Sequence, residues 1–234
     1  FQNEARAAAE INHPGVVTIY AVEETAAGHP YLVMELLSGE TLRERMKRDG
    51  SLPWRVVLGI GRQLASALTR AHERGVVHRD LKPRHLIIDA QGRPRLLDFG
   101  ISKLLDPEAG GDAAVTRTEA RTLTPAYASP EQFRGEPISP ATDVFALGVI
   151  LYELLTGRRP FEPATRSTAA FERAVLHDDP SPPSAALPAA AALGRDLDAI
   201  CLKALRKDPL ERYRDAGDFA ADLERWLDGR AVVA

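Results

Sequence analysis

The stretch VVHRDLKPRHLIID, residues 76–89, decides the fold. It contains a histidine, an arginine, an aspartate and a lysine within positions 78–82, and a second histidine, His85, follows three residues after Lys82. Apolar runs flank this polar cluster on both sides, and short apolar runs bounded by turn residues are typical of strands. The pattern therefore predicts that the cluster lies in a loop that leads into a strand.

A hairpin is predicted immediately after the cluster. The runs HLIID and RPRLLD are separated by AQG, which is typical of a tight turn between antiparallel strands. Pairing residues 86–89 with residues 94–97 brings His85, just before the first strand, beside Asp98, just after the second. Asp80 lies in the loop that feeds the first strand. Two carboxylates, a lysine and an imidazole are therefore expected at one edge of the hairpin.

This group of side chains suits chemistry on phosphate with a divalent cation. Carboxylate oxygens hold Mg²⁺, a lysine neutralises phosphate charge, and a second carboxylate can accept the proton of a hydroxyl group. Taken singly, each residue is most simply a surface polar group or a loop cap. The joint spacing, with a hairpin between the parts, favours a catalytic site over that simpler interpretation.

The motifs resemble those of a known family. HRDLKP followed by DFG resembles the catalytic core of eukaryotic-like serine/threonine protein kinases, notably their bacterial branch. TPAYASPEQF resembles the substrate-binding end of the activation segment, and DVFALGVILYELLTGRRPF resembles the helix that anchors the catalytic loop. KALRKDPLERY resembles the final motif of the large lobe. The likeness covers nearly the whole chain.

The resemblance implies catalytic roles for the matching residues. Asp80 would accept the proton of the substrate hydroxyl, and Lys82, which resembles Ser/Thr rather than tyrosine kinases, would neutralise the transferring γ-phosphate. Asp98 would hold Mg²⁺ between the β- and γ-phosphates of ATP, with His85 at the position of the second metal ligand. Thr124 would contact the catalytic loop and the substrate. Together they would stabilise charge on a loose transition state.

Nucleotide-binding residues are implied by the same resemblance. Glu4 matches the helix glutamate that pairs with the phosphate-binding lysine, although a solvent-facing helix position is the simpler alternative. Glu35 and Leu37 would offer hinge backbone groups to adenine, and Ile87 would pack under the adenine ring. The implied cofactors are ATP and Mg²⁺, with Mn²⁺ as an alternative.

Regulatory and supporting residues follow from the resemblance too. Arg79 would pair with a phosphothreonine in the activation segment and so order it. Asp143 would cap the backbone of the catalytic loop, and Glu131 would pair with Arg212 as a buried structural bridge. The candidate phosphorylation sites are Thr116, Thr118 and Thr122.

The predicted fold is α+β, a protein kinase-like fold with a truncated, β-containing small lobe and a mostly helical large lobe. Residues 1–36 would supply a helix, two strands and the start of the hinge, residues 37–229 the large lobe, and residues 230–234 the start of a linker. Apolar spacing predicts a helix over 54–73. A polar helix with a solvated basic face is predicted over 38–50. DVFALGVILYELL is apolar almost all round, which predicts a helix in the core.

Composition narrows the possible partners and locations. The 234 residues carry 30 Lys and Arg against 33 Asp and Glu, and the net charge of −3 gives no reason to expect nucleic acid as a partner. The single cysteine, Cys201, excludes an internal disulfide and fits a reducing compartment. No apolar run reaches the roughly 18 residues that span a bilayer. We expect a cytoplasmic location without membrane contact within this chain, in a parent protein that could be anchored elsewhere.

The small lobe departs from the family pattern. Only three residues precede Glu4, and no Gly-x-Gly-x-x-Gly occurs in the chain. The glycine-rich loop and the strand lysine that clamp the ATP phosphates are therefore expected upstream. We expect these 234 residues, taken alone, to bind ATP weakly and to be inactive or weakly active.

His85 is the second departure, because the family has Asn at this position. An amide oxygen suits Mg²⁺, whereas an imidazole offers only nitrogen, which Mn²⁺ accepts more readily. Three outcomes stay open: a one-metal site with a reduced rate, a preference for Mn²⁺, or a pseudokinase without catalysis. Since Asp80, Lys82 and Asp98 are all kept, we favour a kinase that is active or impaired at full length.

Two classes of function therefore compete. The enzyme would transfer the γ-phosphate of ATP to Ser or Thr of a protein substrate, with dimerisation for trans-autophosphorylation as a further option. The alternative is a pseudokinase that acts as a nucleotide- or protein-binding signalling module. A small-molecule phosphotransferase is disfavoured, because TPAYASPE resembles the peptide-docking element of protein kinases.

Overall fold

The computed structural model describes residues 9–50, 52–97, 124–165, 167–186 and 194–234. Within these residues, the structure contains two small antiparallel sheets and a mostly helical body, and helices lie between two strands of the second sheet in the sequence. The predicted α+β class is confirmed. No helix in this described part of the chain is long and apolar enough to cross a bilayer.

The first sheet consists of the two strands predicted within residues 1–36. Strands β1 (Ile19–Glu24) and β2 (Pro30–Met34) pair antiparallel, with Val22 opposite Leu32. The amide of Thr25 donates to the carbonyl of His29 at 2.8 Å and closes the turn.

The second sheet has the order β3 (Glu40–Thr41), β4 (Leu86–Ile88), β5 (Pro94–Leu96). The β4–β5 pair is the hairpin predicted after the polar cluster. Its turn forms because the Asp89 carboxylate accepts the amides at positions 91 and 93, each at 2.9 Å, as aspartate does in tight turns. Val17, just before β1, donates its amide to the Leu96 carbonyl at 3.0 Å. This hydrogen bond connects the first sheet to the β4–β5 hairpin.

Helix α1 (Leu42–Asp49) begins later than the predicted polar helix. The Thr41 hydroxyl accepts the Glu44 amide and the Glu44 carboxylate accepts the Thr41 amide, so a capping box fixes the start at this point. Arg43 is exposed, as the predicted solvated basic face requires, and it also forms an ion pair. Its guanidinium lies 3.3 Å from the carboxylate of Glu153, which is 7% exposed.

Two long helices form the core of the helical body. Helix α2 (Trp54–His72) buries the apolar stripe that its spacing predicts, and every residue of α4 (Pro140–Thr156) after the first is buried. Helices α7 (Gly194–Ala204) and α8 (Ala216–Leu227) pack on this pair. Cys201 is a buried free thiol within α7.

Shorter elements complete the body. Helix α3 (Pro130–Arg134) begins with a capping box in which Ser129 is the N-cap and Gln132 the third helical residue. Helices α5 (Thr168–His177) and α6 (Pro183–Ala186) follow α4. The amide of Val233 donates to Asp222 at 2.9 Å, so the last residues, predicted to begin a linker, contact α8.

The predicted bridge between Glu131 and Arg212 is confirmed. Two guanidinium nitrogens of Arg212 donate to the two carboxylate oxygens at 2.8 and 2.7 Å, and both side chains are at most 1% exposed. Arg212 also donates to three backbone carbonyls, so its buried charge is fully paired. Burial by itself would raise the pKa of Glu131, but the hydrogen bonds and charge of Arg212 outweigh burial and lower it. The bridge thus pins α3 to the loop before α8.

We predict that Arg212→Ala lowers the free energy of unfolding by about 3–5 kcal/mol, because it leaves the Glu131 carboxylate buried without its partner. Urea denaturation followed by circular dichroism measures the change. Arg214→Ala is the matched control, since that side chain is 82% exposed and should change stability little. Equal effects of the two substitutions would contradict a stabilising role for the bridge.

Candidate active site

The catalytic loop, residues 78–85, is fixed to the core helix α4 by one carboxylate. Asp143 accepts the amides of His78 and Arg79 at 2.8 and 3.0 Å, which confirms its predicted capping role. The ring of His72 donates to the same carboxylate at 2.9 Å. Asp143 is 1% exposed, so a buried anion with three donors holds the start of the loop.

The loop turns sharply at Arg79. The φ angle of Arg79 is 65°, in the left-handed region that non-glycine residues rarely adopt. The amide of Asp80 donates to the His78 carbonyl at 2.8 Å, which closes a three-residue turn around Arg79. Such a conformation costs about 1–3 kcal/mol and persists only where neighbouring groups enforce it. This turn sets the direction in which Asp80 leaves the loop.

Asp80, Lys82 and Thr124 lie together, as the resemblance implies. The Lys82 ammonium donates to the Asp80 carboxylate at 2.5 Å and to the Thr124 hydroxyl at 2.9 Å. The side chains of Asp80 and Lys82 are only 12% and 9% exposed. A proton-accepting group and a cation therefore share a small, mostly dry site, in which electrostatic interactions are stronger than in water.

His85 lies beside this pair. Its Nδ1 is 3.8 Å from the Asp80 carboxylate, too far for a hydrogen bond, and has no hydrogen-bond partner among the described residues. Burial, followed by the positive charge of Lys82, lowers the pKa of His85 to about 4. At neutral pH the site therefore contains a neutral imidazole, not a second cation.

The end of the β4–β5 hairpin leads into the predicted metal ligand. The amide of Leu97 donates to the His85 carbonyl at 2.8 Å, and the His78 ring donates to the Leu97 carbonyl at 2.9 Å. The residue before Asp98 is thus held between the two histidines of the loop. Five predicted residues lie outside the described part of the chain: Glu4, Asp98, Thr116, Thr118 and Thr122.

The segment around Gly39, which follows the predicted hinge residues, lies against strand β4 next to Ile87. Gly39 has φ 146°, and a Cβ there would be 2.2 Å from the Ile88 carbonyl oxygen, so only glycine permits this approach. Ile87 is half-buried between two buried strand neighbours and therefore faces the side opposite the core. The amide of Glu35 donates to the Thr18 carbonyl at 2.9 Å. Leu37 follows in the hinge and is half-buried.

Several supporting contacts were missed by the sequence reading. The Tyr127 hydroxyl donates to Glu153 at 2.6 Å, and Glu153 also pairs with Arg43. Burial and the charge of Glu153 raise the pKa of Tyr127, which keeps its hydroxyl a donor. Gln132 donates to the Arg79 carbonyl at 2.7 Å. The S-x-x-Q spacing of Ser129 and Gln132 predicts a capping box and could have indicated the start of helix α3. The contacts between residues far apart in the sequence have no such local signal.

The described residues offer an incomplete set of metal ligands. Within them, no group of three or more His, Cys, Asp or Glu is placed to hold a metal ion. Asp80 and His85 supply one carboxylate and one neutral nitrogen. Asp98, the predicted main metal ligand, lies outside the described residues.

The fold and site together define a class of protein. An aspartate able to accept a proton, beside a lysine able to neutralise phosphate, is typical of enzymes that transfer phosphoryl groups to hydroxyls. Residues 1–218 match a family model described as the protein kinase domain. The chain belongs to the protein kinase family, whose members use ATP and divalent cations.

Curated relatives are bacterial kinases. The chain is 39% identical over 237 residues to the serine/threonine-protein kinase PknB of Mycobacterium leprae, and equally similar to PknB of Mycobacterium tuberculosis. It is 37% identical over 246 residues to a probable serine/threonine-protein kinase PknB of Bifidobacterium longum. Each match covers 100% of this chain but only 34–37% of the relative. The chain thus spans little more than a third of the length of these relatives.

We predict that His85 titrates near pH 4. Its pKa lies below the unfolded value of 6.5, so between the two values the unfolded chain binds more protons. The contribution of His85 to stability is therefore present above pH 6.5 and is lost as pH falls through about 4. Imidazole NMR titration, assigned by the signal missing in His85→Asn, measures the pKa directly. A midpoint at the ordinary value for histidine would show that the ring is solvated.

Proposed function

We propose that this domain transfers the γ-phosphoryl group of ATP to serine or threonine hydroxyls of proteins. The observation that carries the proposal is the contact of Lys82 with both Asp80 and Thr124. Membership of the protein kinase family and the serine/threonine-protein kinase names of the bacterial relatives support it.

Asp80 receives the proton of the attacking hydroxyl in this mechanism. Its carboxylate is held by the strained turn at Arg79 and by the Lys82 ammonium, so its orientation is set before a substrate arrives. Thr124 shares the same ammonium and comes from the segment that resembles the peptide-binding end. A peptide hydroxyl placed next to Thr124 would therefore lie close to Asp80.

Lys82 stabilises negative charge as the phosphoryl group moves. Its ammonium is mostly buried, and a preorganised cation in a dry site lowers the energy of a transition state without reorganisation. We propose that Glu35 and Leu37 present hinge backbone groups to adenine, that Ile87 packs against the ring, and that Glu4 supports the phosphate-binding lysine.

A divalent cation would neutralise the triphosphate when bound. We propose Asp98 as its main ligand and His85 as the second, which makes Mn²⁺ the better partner of this site and Mg²⁺ the poorer one. The Nδ1 of His85, without a hydrogen-bond partner among the described residues, is consistent with a nitrogen kept for a ligand.

Regulation by phosphorylation belongs to the same proposal. Arg79 would pair with a phosphothreonine, at Thr116, Thr118 or Thr122, and dimerisation would allow one copy to phosphorylate another. A cytoplasmic location and the division into residues 1–36, 37–229 and 230–234 also stay predictions.

A pseudokinase remains the second candidate, and His85 is the observation that favours it. A neutral, buried imidazole replaces the oxygen that a second Mg²⁺ needs. In this alternative the domain binds nucleotide or protein partners without transferring phosphate.

We predict that Asp80→Asn in the full-length protein lowers kcat by about 10²–10⁴-fold, because asparagine cannot accept the hydroxyl proton. Nucleotide affinity should change little, since Asp80 is not a proposed nucleotide ligand. Phosphate transfer to a threonine peptide measures kcat, and fluorescent nucleotide binding measures affinity. A variant as active as the wild type would exclude Asp80 as the proton acceptor.

We predict that His85→Asn in the full-length protein raises the autophosphorylation rate with Mg²⁺ and lowers the ratio of the Mn²⁺ rate to the Mg²⁺ rate. The reason is that an amide oxygen replaces an imidazole nitrogen as ligand. Rates are measured with each metal in turn. His29→Asn, an exposed histidine in the β1–β2 turn, is the matched control. No activity in any form with either metal would favour the pseudokinase.

A further inference from the structure

The strained turn at Arg79 is held from two sides. Asp143 accepts the amides of His78 and Arg79 on one side, and the side-chain amide of Gln132 donates to the Arg79 carbonyl at 2.7 Å on the other. A left-handed non-glycine residue persists only where its surroundings enforce it. Gln132 is therefore one of the groups that keep the peptide before Asp80 in place.

The orientation of the Gln132 amide is fixed by its other partners. Its Oε1 accepts the Ser129 amide at 3.0 Å and lies 3.3 Å from the Ser129 hydroxyl, within the capping box of α3. The Ser129 amide requires an acceptor and the Arg79 carbonyl requires a donor. Only the orientation with nitrogen toward Arg79 satisfies both groups.

Gln132 comes from the chain that follows Thr124. That chain contacts the catalytic loop at two points, the Thr124 hydroxyl on Lys82 and the Gln132 amide on Arg79. The two contacts lie on either side of Asp80 in the sequence. A displacement of α3 would therefore be transmitted to the peptide that orients the Asp80 carboxylate.

We propose that Gln132 is a positioning residue for phosphoryl transfer, which holds the Arg79 carbonyl so that Asp80 points at the substrate hydroxyl. The proposal rests on the proposed kinase function. It concerns a side chain that touches neither substrate nor nucleotide and acts through the turn alone.

Gln132→Glu separates this role from the capping role. Glutamate is as good as glutamine at this position of a capping box, so the helix start stays satisfied. The carboxylate cannot donate, and it faces the Arg79 carbonyl with negative charge instead of a hydrogen bond. Gln63→Glu is the matched control, because Gln63 also donates to a backbone carbonyl, that of Gly59 at 3.0 Å, but lies in α2 away from the loop.

The experiment uses the full-length protein and two measurements. We expect Gln132→Glu to lower kcat by about ten- to a hundredfold while KM for ATP changes less than about twofold, as for a misplaced group. Hydrogen exchange of the His78–Asp80 amides should accelerate, while exchange in α4 stays unchanged. Gln63→Glu should match the wild type in both measurements.

A wild-type kcat in Gln132→Glu, or unchanged exchange at His78–Asp80, would overturn the proposal. If the wild type itself transfers no phosphate, the proposed function fails, and exchange alone decides whether Gln132 positions the turn. If Gln132→Glu does not fold, exchange is compared between Gln132→Met and Ser129→Ala. Both weaken the cap and only the first removes the bond to Arg79, so equal exchange in the loop would reject the role.

Discussion

The Asp143 carboxylate is the fixed point on which the candidate site depends. It is buried in α4, and a buried anion is stable only when donors surround it. Two of its three donors are consecutive backbone amides of the catalytic loop, and the third is the ring of His72. The requirement to satisfy this one anion therefore decides where the loop begins, and the loop cannot shift without leaving a buried charge unpaired.

Helix α4 supports more than the loop. Glu153, near its other end, accepts the Tyr127 hydroxyl and pairs with Arg43 of α1. The same helix therefore holds the catalytic loop through Asp143. Through Glu153 it also holds helix α1 and the chain around Thr124. Because every residue after Pro140 is buried, α4 has little freedom to move. Parts of the site that are far apart in sequence share one rigid support.

Local signals predicted most of the elements but few of the contacts between them. The β4–β5 hairpin, α2 and α4 follow from turn residues and apolar spacing, and the closeness of Asp80 and Lys82 needs only one short loop. The bond from Gln132 to Arg79 joins residues 53 apart, and that from Arg43 to Glu153 joins residues 110 apart. Such pairs depend on how helices pack, which no window of sequence contains. The resemblance to kinases supplied the bridge from Glu131 to Arg212, whereas spacing alone could not.

His85 shows how surroundings change what a residue type means. A solvated histidine beside Asp80 would be partly charged near neutral pH and would add a second cation next to Lys82. Burial and the Lys82 ammonium suppress that charge and lower the pKa of His85 to about 4. The described site therefore contains one lysine against one carboxylate, the same balance that asparagine would give. Compared with asparagine, histidine at this position changes the donor atom and the volume of the side chain and leaves the charge unchanged. If His85 holds a cation as proposed, its effect on catalysis should depend on which metal is present.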